Sequence, residues 1–330
     1  MAQIGGARHY ILTDGWGRNL RAIDVSSGGG LQYTIMPDRG MDISLASFKG
    51  INLVYLTCNG ETHPGFFEPE KLGWLRTYAA GLLTTCGLTY LAGPVTDGNE
   101  NLGLHGRYST IPARQVADLS GWIGDEWVGD DYQIRIKGIV EEGVLFGNKL
   151  RMEREISTIQ GHNNIIITDK ITNFGFRPSP YTILYHMNLG YPLLSEDAEL
   201  IVDTVKTIPR DTEAEKGLKE FNRFVKPSSD FREQVFIHTP RVDRDGFSSV
   251  TLQNKKLGIS LTIRYDGVKL PYLIQWRMLG MGEYVVGLEP SNVPLKNRKE
   301  LRESGELPVI EPGESTVNRV EVILNGANSV

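Results

Sequence analysis

The sequence YQIRIK, residues 132–137, alternates apolar and polar side chains at every step. This period of two places one side of a β-strand on a hydrophobic core and the other side in water. The same alternation returns in residues 165–171 (IIITDKI), 259–265 (ISLTIRY) and 320–324 (VEVIL). Turn-forming clusters such as SGGG at residues 27–30 separate these runs. The sequence therefore predicts an all-β sandwich or barrel.

Helices are expected to be few and short. Residues 294–303 (PLKNRKELRE) begin with proline, place two leucines on roughly one side and are followed by Gly305, which predicts one short helix. The charged residues 212–221 fit either a short helix or a loop. No internal repeat or long biased linker divides the chain, so we expect residues 1–330 to form one β domain.

Composition narrows the class of protein and of partner. The chain has 35 Lys+Arg against 40 Asp+Glu, a formal charge of −5, and its basic residues are scattered, which argues against a nucleic-acid partner. Its two cysteines exclude a disulfide framework and a Cys-rich zinc site. The apolar residues 72–92 are interrupted by Arg76, Gly81 and Gly87, which argues against a membrane-spanning helix. The sequence shows no secretory signal. We expect a cytoplasmic protein, a monomer or a homodimer.

Two histidines lie among other polar side chains. In residues 99–107 (NENLGLHGR), His105 and Arg107 would share one face if this piece is extended, and could reach one ligand together. An exposed turn with an unrelated arginine is the alternative. In residues 181–190 (YTILYHMNLG), a strand would place His186 and Asn188 on one face, where they need hydrogen-bond partners or a wet cleft. A satisfied core histidine is the alternative there.

Glu289 ends the apolar run 284–288 and precedes Pro290, a position suited to the rim of a cavity. The alternative is a strand-edge acid in water. An imidazole and a carboxylate, with ordinary pKa values of about 6.5 and 4.3, can serve as acid and base near neutral pH. Tyr272 and Trp276 could stack on a sugar ring. No nucleophile elbow, P-loop, dinucleotide fingerprint or HExxH motif occurs. Two histidines and a glutamate could also hold a metal, but we expect neither a metal nor a cofactor.

Three segments, in this order, resemble the aldose 1-epimerase (galactose mutarotase-like) superfamily: residues 101–106 (NLGLHG), 186–189 (HMNL) and 287–290 (GLEP). Residues 37–42 (PDRGMD) and 81–88 (GLLTTCGL) are similar to an uncharacterised bacterial branch of it. The resemblance implies a large antiparallel β-sandwich with a sugar-binding cleft and a small-molecule carbohydrate as ligand.

The resemblance also implies roles. His186 is expected to protonate the ring oxygen and Glu289 to take the anomeric hydroxyl proton, with the two groups on opposite sides of the C1–O5 bond. His105 corresponds to the second histidine, which holds a sugar oxygen, and Arg76 to the sugar-binding arginine. Asn188 is expected among the substrate-binding residues.

One departure from the superfamily pattern concerns the aspartate that usually lies between the second histidine and the glutamate. It has no counterpart here, and we expect Gln275 and Arg277 to point into the cleft in its place. Together with Arg107 and Arg39, Arg277 would suit an acidic, phosphorylated or sulfonated sugar.

The expected function is that of an isomerase of carbohydrate metabolism, a mutarotase that interconverts α and β anomers. The alternatives are another sugar or sugar-phosphate isomerase on the same fold and a non-catalytic carbohydrate-binding protein. The joint presence of His105, His186 and Glu289 favours catalysis, because a binding module does not need an acid–base pair.

Overall fold

Antiparallel strands build this chain, as seen in a computed structural model that describes residues 3–123 and 131–326. In chain order the strands are β1 Gly6–Ile11, β2 Arg21–Ser26, β3 Leu31–Met36, β4 Asp42–Phe48, β5 Ile51–Asn52, β6 Thr84–Leu88, β7 Val95–Asp97, β8 Glu100–Leu102, β9 Arg114–Asp118, β10 Gly121–Trp122, β11 Tyr132–Gly143, β12 Lys149–Ile159, β13 Asn164–Asn173, β14 Ser179–Pro180, β15 Thr182–Gly190, β16 Ala198–Val202, β17 Thr204–Pro209, β18 Gln234–Pro240, β19 Phe247–Asn254, β20 Ile259–Asp266, β21 Tyr272–Leu279, β22 Tyr284–Ser291, β23 Val309–Ile310 and β24 Ser315–Gly326.

Three sheets dominate. A nine-stranded sheet has the order β10-β11-β12-β13-β24-β20-β19-β16, with β9 paired to β11. A six-stranded sheet has the order β17-β18-β21-β22-β15-β6, and β1 to β5 form a five-stranded sheet in sequence order. One large core contains buried side chains from all three, such as Ile23, Ile167 and Met187. The predicted antiparallel β-sandwich is therefore confirmed.

All four alternating sequence runs lie in the nine-stranded sheet, in β11, β13, β20 and β24. In β20, burial alternates residue by residue, so one face meets the core and the other meets solvent. In contrast, every residue of β15 in the six-stranded sheet is buried. This sheet is covered on both faces, because a second apolar cluster that includes Trp74, Leu184 and Ile274 packs on the face away from the large core.

Two α-helices occur among the described residues, α1 Thr212–Lys216 and α2 Arg298–Glu303. The predicted helix 294–303 is shorter than expected. The side chain of Asn297 accepts a hydrogen bond from Glu300 N, and Glu300 reaches back to Asn297 N, so this capping box starts the helix at Arg298. Within residues 3–123 and 131–326, no helix is both long and apolar enough to cross a membrane.

A buried ionic network ties the three sheets together. The Arg154 guanidinium, fully buried, contacts Asp169 at 2.7 Å and Asp42 at 2.8 Å, and the Tyr185 hydroxyl donates to Asp169 at 2.8 Å. Burial raises the pKa of Asp42 to about 6, although Arg154 acts in the opposite direction. Loss of one partner would leave an uncompensated buried charge, at a cost of about 3–5 kcal/mol. Through Tyr185 this network holds strand β15 from the core side.

Candidate active site

His186 and Glu289 face each other on the adjacent strands β15 and β22. The register, with Leu184 opposite Ser291 and Met187 opposite Leu288, places them across from one another. Directly opposed residues of an antiparallel pair lie on the same face of the sheet. His186 Nε2 and Glu289 Oε1 are 3.2 Å apart, and both side chains are buried. The fold thus brings an imidazole and a carboxyl group together on one face.

That face is opposite to the large core. On β15, Tyr185 and Met187 belong to the large core, whereas Leu184 belongs to the second cluster. His186 and Asn188 follow the same alternation as Leu184, in agreement with the faces predicted from the sequence. The two polar side chains are therefore directed away from the main hydrophobic core.

Tyr78 and Asn188 fix the His186 ring. The Tyr78 hydroxyl donates to Asn188 Oδ1 at 2.7 Å, while the Asn188 amide nitrogen donates to the carbonyls of Gly81 and His186, both at 3.0 Å. Tyr78 has one hydroxyl hydrogen, so its oxygen accepts from His186 Nδ1, 3.2 Å away. In the neutral ring Nε2 then carries the lone pair, and it lies 3.2 Å from Glu289 Oε1, a buried atom with no hydrogen-bond partner among the described residues.

His105 enters the same site from a loop. Its backbone has a φ of 57°, held because its N–H donates to Ala92 O at 2.9 Å and its carbonyl accepts from Gly87 N at 3.1 Å. At Gly106 a Cβ would lie 2.4 Å from Gly87 O, which explains why glycine follows the histidine. The His105 and His186 ring centroids are 5.9 Å apart. Nδ1 of His105 is buried and without a hydrogen-bond partner among the described residues.

Burial sets the protonation of these groups. It lowers the pKa of His105 to about 4. Burial, followed by the nearby His105, holds the pKa of His186 well below its usual value. Burial, followed by the charge of Glu233, raises the pKa of Glu289 well above its usual value. Both shifts disfavour the charged forms and so favour a neutral imidazole beside a protonated carboxyl group.

These groups open into a cleft of about 270 Å³. That volume is slightly below the range of about 300–1,000 Å³ that is typical of small-molecule sites. Besides the residues already described, the lining consists of Leu72, Trp74, Leu75, Leu104, Arg210, Glu233, Val235, Ile274, Trp276 and Leu295. The cleft is thus mostly apolar, with a few convergent polar groups.

Gly287 leaves room for the Glu289 carboxyl group beside His186. It lies opposite Trp276 in the β21–β22 ladder. A Cβ at this position would lie 2.5 Å from Glu289 Oε1 and 3.3 Å from His186 Cε1. Any larger residue would displace the carboxyl group, which explains the glycine two residues before the glutamate.

Side chains alternate between the two faces of β21, so every second residue of this strand is directed toward the cleft. Ile274 lies opposite Glu289, so Ile274 and Trp276 share its face. Contrary to the expectation from the sequence, Gln275 and Arg277 point to the other face. There Gln275 Nε2 donates to a backbone carbonyl at 2.8 Å, and Arg277 Nη1 donates to another at 2.9 Å. Both acceptor carbonyls lie in residues 220–221, so these two side chains anchor the segment between β17 and β18.

The other predicted arginines also lie outside the cleft lining. Arg39 is buried and donates to the carbonyls of Thr62 and Thr77, both at 2.9 Å. Arg76 is exposed and pairs with Glu68. Because His105 is in the left-handed region, the chain is not extended there and Arg107 turns away from it.

Arg107 donates to Gly143 O at 2.9 Å and lies 3.5 Å from Glu142. Together these placements remove the basis for an anionic sugar held by Arg39, Arg107 and Arg277. The arginine that does line the cleft is a different one, Arg210.

Several residues that line the cleft were not identified from the sequence. Arg210 and Glu233 flank a long connection between β17 and β18, and Arg210 Nη2 donates to Glu233 Oε2 at 2.7 Å. Trp276 Nε1 donates to Glu233 Oε1 at 2.8 Å. No local pattern signals such a pairing between residues 23 positions apart. Tyr78 was hidden in the apolar stretch 72–92, where its neighbour Trp74 stacks on it with centroids 4.2 Å apart.

A larger depression, of about 580 Å³, lies on the five-stranded sheet. Its lining includes Arg8, Asp24 and Tyr10, but no histidine and no buried acid–base pair. Chemistry therefore locates the candidate site better than volume does. In residues 3–123 and 131–326, no group of three or more His, Cys, Asp or Glu side chains is arranged to hold a metal ion.

Solved structures share this architecture. A candidate aldose 1-epimerase from Klebsiella pneumoniae subsp. pneumoniae MGH 78578 is 26% identical with a TM-score of 0.90, over 96% of this chain and 83% of that chain. A galactose mutarotase-like protein from Clostridium acetobutylicum is 13% identical with a TM-score of 0.69, over 98% and 99%. Galactose 1-epimerase from Lactobacillus acidophilus NCFM is 12% identical with a TM-score of 0.62, over 98% and 99%. The last two likenesses concern the fold alone.

Among curated proteins, none matches the sequence. The family described as "Domain of unknown function (DUF4432)" matches residues 17–324, nearly the whole chain. This match agrees with the resemblance of residues 37–42 and 81–88 to an uncharacterised branch. The chain therefore belongs to the DUF4432 family, and its fold is that of the galactose mutarotase-like proteins.

Proposed function

We propose that this protein is a mutarotase, an isomerase that interconverts the α and β anomers of an aldose. The observation that carries the proposal is the contact of 3.2 Å between His186 Nε2 and Glu289 Oε1, on the face that lines the cleft. Anomer exchange needs one proton donor and one proton acceptor at the same carbon, and this pair supplies both.

In this proposal the acid and base, 3.2 Å apart, act from the same side of the C1–O5 bond, whereas the resemblance implies opposite sides. This arrangement suits the reaction, because the ring oxygen and the anomeric hydroxyl are bonded to the same carbon. In the resting pair the neutral His186 presents a lone pair at Nε2, and the raised pKa of Glu289 keeps its proton on the carboxyl group. Ring opening then begins with Glu289 as acid and His186 as base, the reverse of the roles implied by the resemblance.

The protons balance over the cycle. Glu289 gives its proton to the ring oxygen as the C1–O5 bond breaks, and His186 Nε2 takes the proton of the anomeric hydroxyl. The products are an open-chain aldehyde and an imidazolium–carboxylate pair. After rotation about C1–C2, the ring hydroxyl attacks the other face of the carbonyl and returns its proton to Glu289. The imidazolium of His186 protonates the new anomeric oxygen.

The rest of the cleft fits one sugar ring. Its volume of about 270 Å³ accommodates a monosaccharide better than a chain of sugars. The unpartnered His105 Nδ1 is a hydrogen-bonding atom for a sugar oxygen, since a buried polar atom without a partner is costly. Trp276, whose ring centroid is 5.5 Å from that of His186, gives an apolar surface beside the reacting carbon.

The test is proton NMR exchange spectroscopy between α and β anomers across a panel of neutral, phosphorylated and acidic aldoses. The panel is run with the wild type, Glu289→Gln and Glu283→Gln. Glu283 is an exposed glutamate just before the same strand and serves as the matched control. We expect acceleration by the wild type and by Glu283→Gln, and a loss of about 10²–10⁴-fold in Glu289→Gln.

Equal rates for the wild type and Glu289→Gln would overturn the acid–base proposal. If the wild type accelerates exchange of no sugar in the panel, the protein is not a mutarotase of these aldoses. Saturable binding without exchange would instead identify a carbohydrate-binding protein. The amide replaces the carboxyl with little change in volume, so the melting temperature of the variant serves as the folding control.

A further inference from the structure

Glu233 is a second carboxylate in the cleft, and both of its oxygens are held. Oε1 accepts from Trp276 Nε1 at 2.8 Å and Oε2 accepts from Arg210 Nη2 at 2.7 Å. A carboxylate offers about four acceptor positions, so about two remain free. Its side chain is 47% exposed and lines the cleft. Glu233 is therefore a fixed acceptor that faces the space where a sugar would lie.

The position of Glu233 is set by the sheet. Trp276 lies opposite Val235 on β18, and Glu233 precedes this strand on the same face as Val235. Trp276 also contacts the His186 ring, so its indole lies between Glu233 and the acid–base pair. A sugar with its anomeric carbon at His186 would place its distal hydroxyl groups toward Glu233.

The charges at this end of the cleft are already paired. Among the described lining residues Arg210 is the one arginine or lysine, and its Nε contacts Asp211 at 2.8 Å while its Nη2 contacts Glu233. Two carboxylates thus surround one guanidinium. An anionic sugar group would meet no free cation and would approach a fixed carboxylate, whereas a hydroxyl group would find an acceptor.

We infer that Glu233 is a specificity-determining residue that binds hydroxyl groups of the sugar far from the anomeric carbon and rejects aldoses with an anionic group at that end. This inference rests on the proposed function, and it names the substrate class as neutral. It places the discrimination in a residue that the family resemblance did not indicate. The superfamily aspartate missing from this sequence is not needed for it.

The experiment compares Glu233→Gln with Asp211→Asn. Both changes remove one negative charge beside Arg210, but Asp211 is outside the cleft lining. Asparagine at position 211 also keeps an oxygen to cap α1, as Asp211 does for Glu213 N and Ala214 N. The substrates are the neutral aldose that the wild type accelerates best and its counterparts phosphorylated or oxidised to a carboxylate at the carbon most distant from C1.

For Glu233→Gln we expect KM for the neutral sugar to rise about ten- to hundredfold, the loss typical of a hydrogen bond to a charged group. We expect kcat to change by a smaller factor, because the charge of Glu233 also contributes to the raised pKa of Glu289. The preference for the neutral over the anionic sugar should fall by at least about tenfold. Asp211→Asn should keep both the KM and the preference of the wild type.

Two results would overturn the inference. One is an unchanged KM and preference in Glu233→Gln. The other is an equal loss of preference in Asp211→Asn, which would assign the effect to the charge around Arg210 and not to contact with Glu233. Failure of the wild type to exchange any anomer would instead refute the mutarotase proposal itself. Trp276→Phe, which removes the indole N–H and keeps an aromatic ring, should raise KM in the same direction as Glu233→Gln.

Discussion

Nε2 of His186 and Oε1 of Glu289 lie 3.2 Å apart because β15 and β22 are neighbours in register. The two residues are 103 positions apart in the chain, and each sits on a strand buried on both faces. Burial lowers the pKa of His186 and raises the pKa of Glu289, so that both groups favour their neutral forms. The predictions below depend on this relationship and on the cleft around it.

An acid and a base that act in the same step predict strong non-additivity between substitutions of the pair. His186→Gln and Glu289→Gln should each lower kcat/KM for anomer exchange by about 10²–10⁴-fold. The double variant should be no slower than the slower single variant, since either change already disables the transfer. Losses that multiply in the double variant would show that the two groups act independently.

The activity should extend to lower pH than an ordinary histidine allows. The pair gains its second proton only below the lowered pKa of His186, so the acid limb of kcat/KM lies well below pH 6.5. The basic limb of the profile, where Glu289 loses its proton, lies at higher pH than for an ordinary glutamate because the pKa of Glu289 is raised. We expect kcat/KM at pH 5.5 within about twofold of its value at pH 7, where an ordinary histidine base would cost about tenfold. Exchange rates corrected for the uncatalysed reaction measure this profile.

Buried histidines should make the fold sensitive to acid. His238 is fully buried, and burial lowers its pKa to about 4. In the unfolded chain this histidine has its ordinary pKa, so it binds a proton as pH falls below about 6.5, before the folded protein does. The free energy of unfolding therefore decreases between about pH 6.5 and about pH 4. Each such histidine contributes a slope of up to about 1.4 kcal/mol per pH unit to the free energy of unfolding.

Denaturant titrations at a series of pH values test this slope. His238→Gln should reduce it by up to one proton's contribution, whereas His162→Gln at an exposed position is the matched control. A slope that His238→Gln leaves unchanged would argue against burial as the cause.

Gly287→Ala should strongly reduce activity and also lower stability, because the new Cβ would lie 3.1 Å from Trp276 Cβ as well. The added methyl would lie 2.5 Å from Glu289 Oε1, the flexible end of a side chain that can move aside and leave His186. We expect kcat to fall by at least about 10²-fold, in line with the sensitivity of catalysis to small displacements. Gly93→Ala, where no atom lies within 4 Å of the new Cβ, is the control. Wild-type kcat in Gly287→Ala would show that the position of the Glu289 carboxyl group does not depend on this glycine.

Arg107→Gln should leave anomer exchange within about twofold of wild type. Its guanidinium contacts Glu142 and Gly143 O and not the cleft. Glu142 is buried and loses its cationic partner but keeps its bonds from Leu88 N and Thr89, so the free energy of unfolding should fall by about 1–3 kcal/mol. A selective loss of activity toward anionic sugars would restore a binding role for Arg107.

The sequence by itself determined four strands of the nine-stranded sheet and drew attention to His186 and Glu289. Alternation identified β11, β13, β20 and β24, because a strand with one wet face must exchange polar and apolar residues at each step. Family resemblance singled out His105, His186 and Glu289. Both the alternating pattern and the family motifs lie within short segments of the chain, so the sequence alone is enough to detect them.

Only the tertiary structure decided what else surrounds the pair. The register of β21 against β22 directs Trp276 toward the cleft and Gln275 and Arg277 toward the opposite face of the sheet. A one-residue change of register would exchange these two faces. Glu233 and Arg210 meet across a long connection that no local pattern marks. Strand register and loop closure are non-local properties, and so packing between distant segments decides which residues line the cleft.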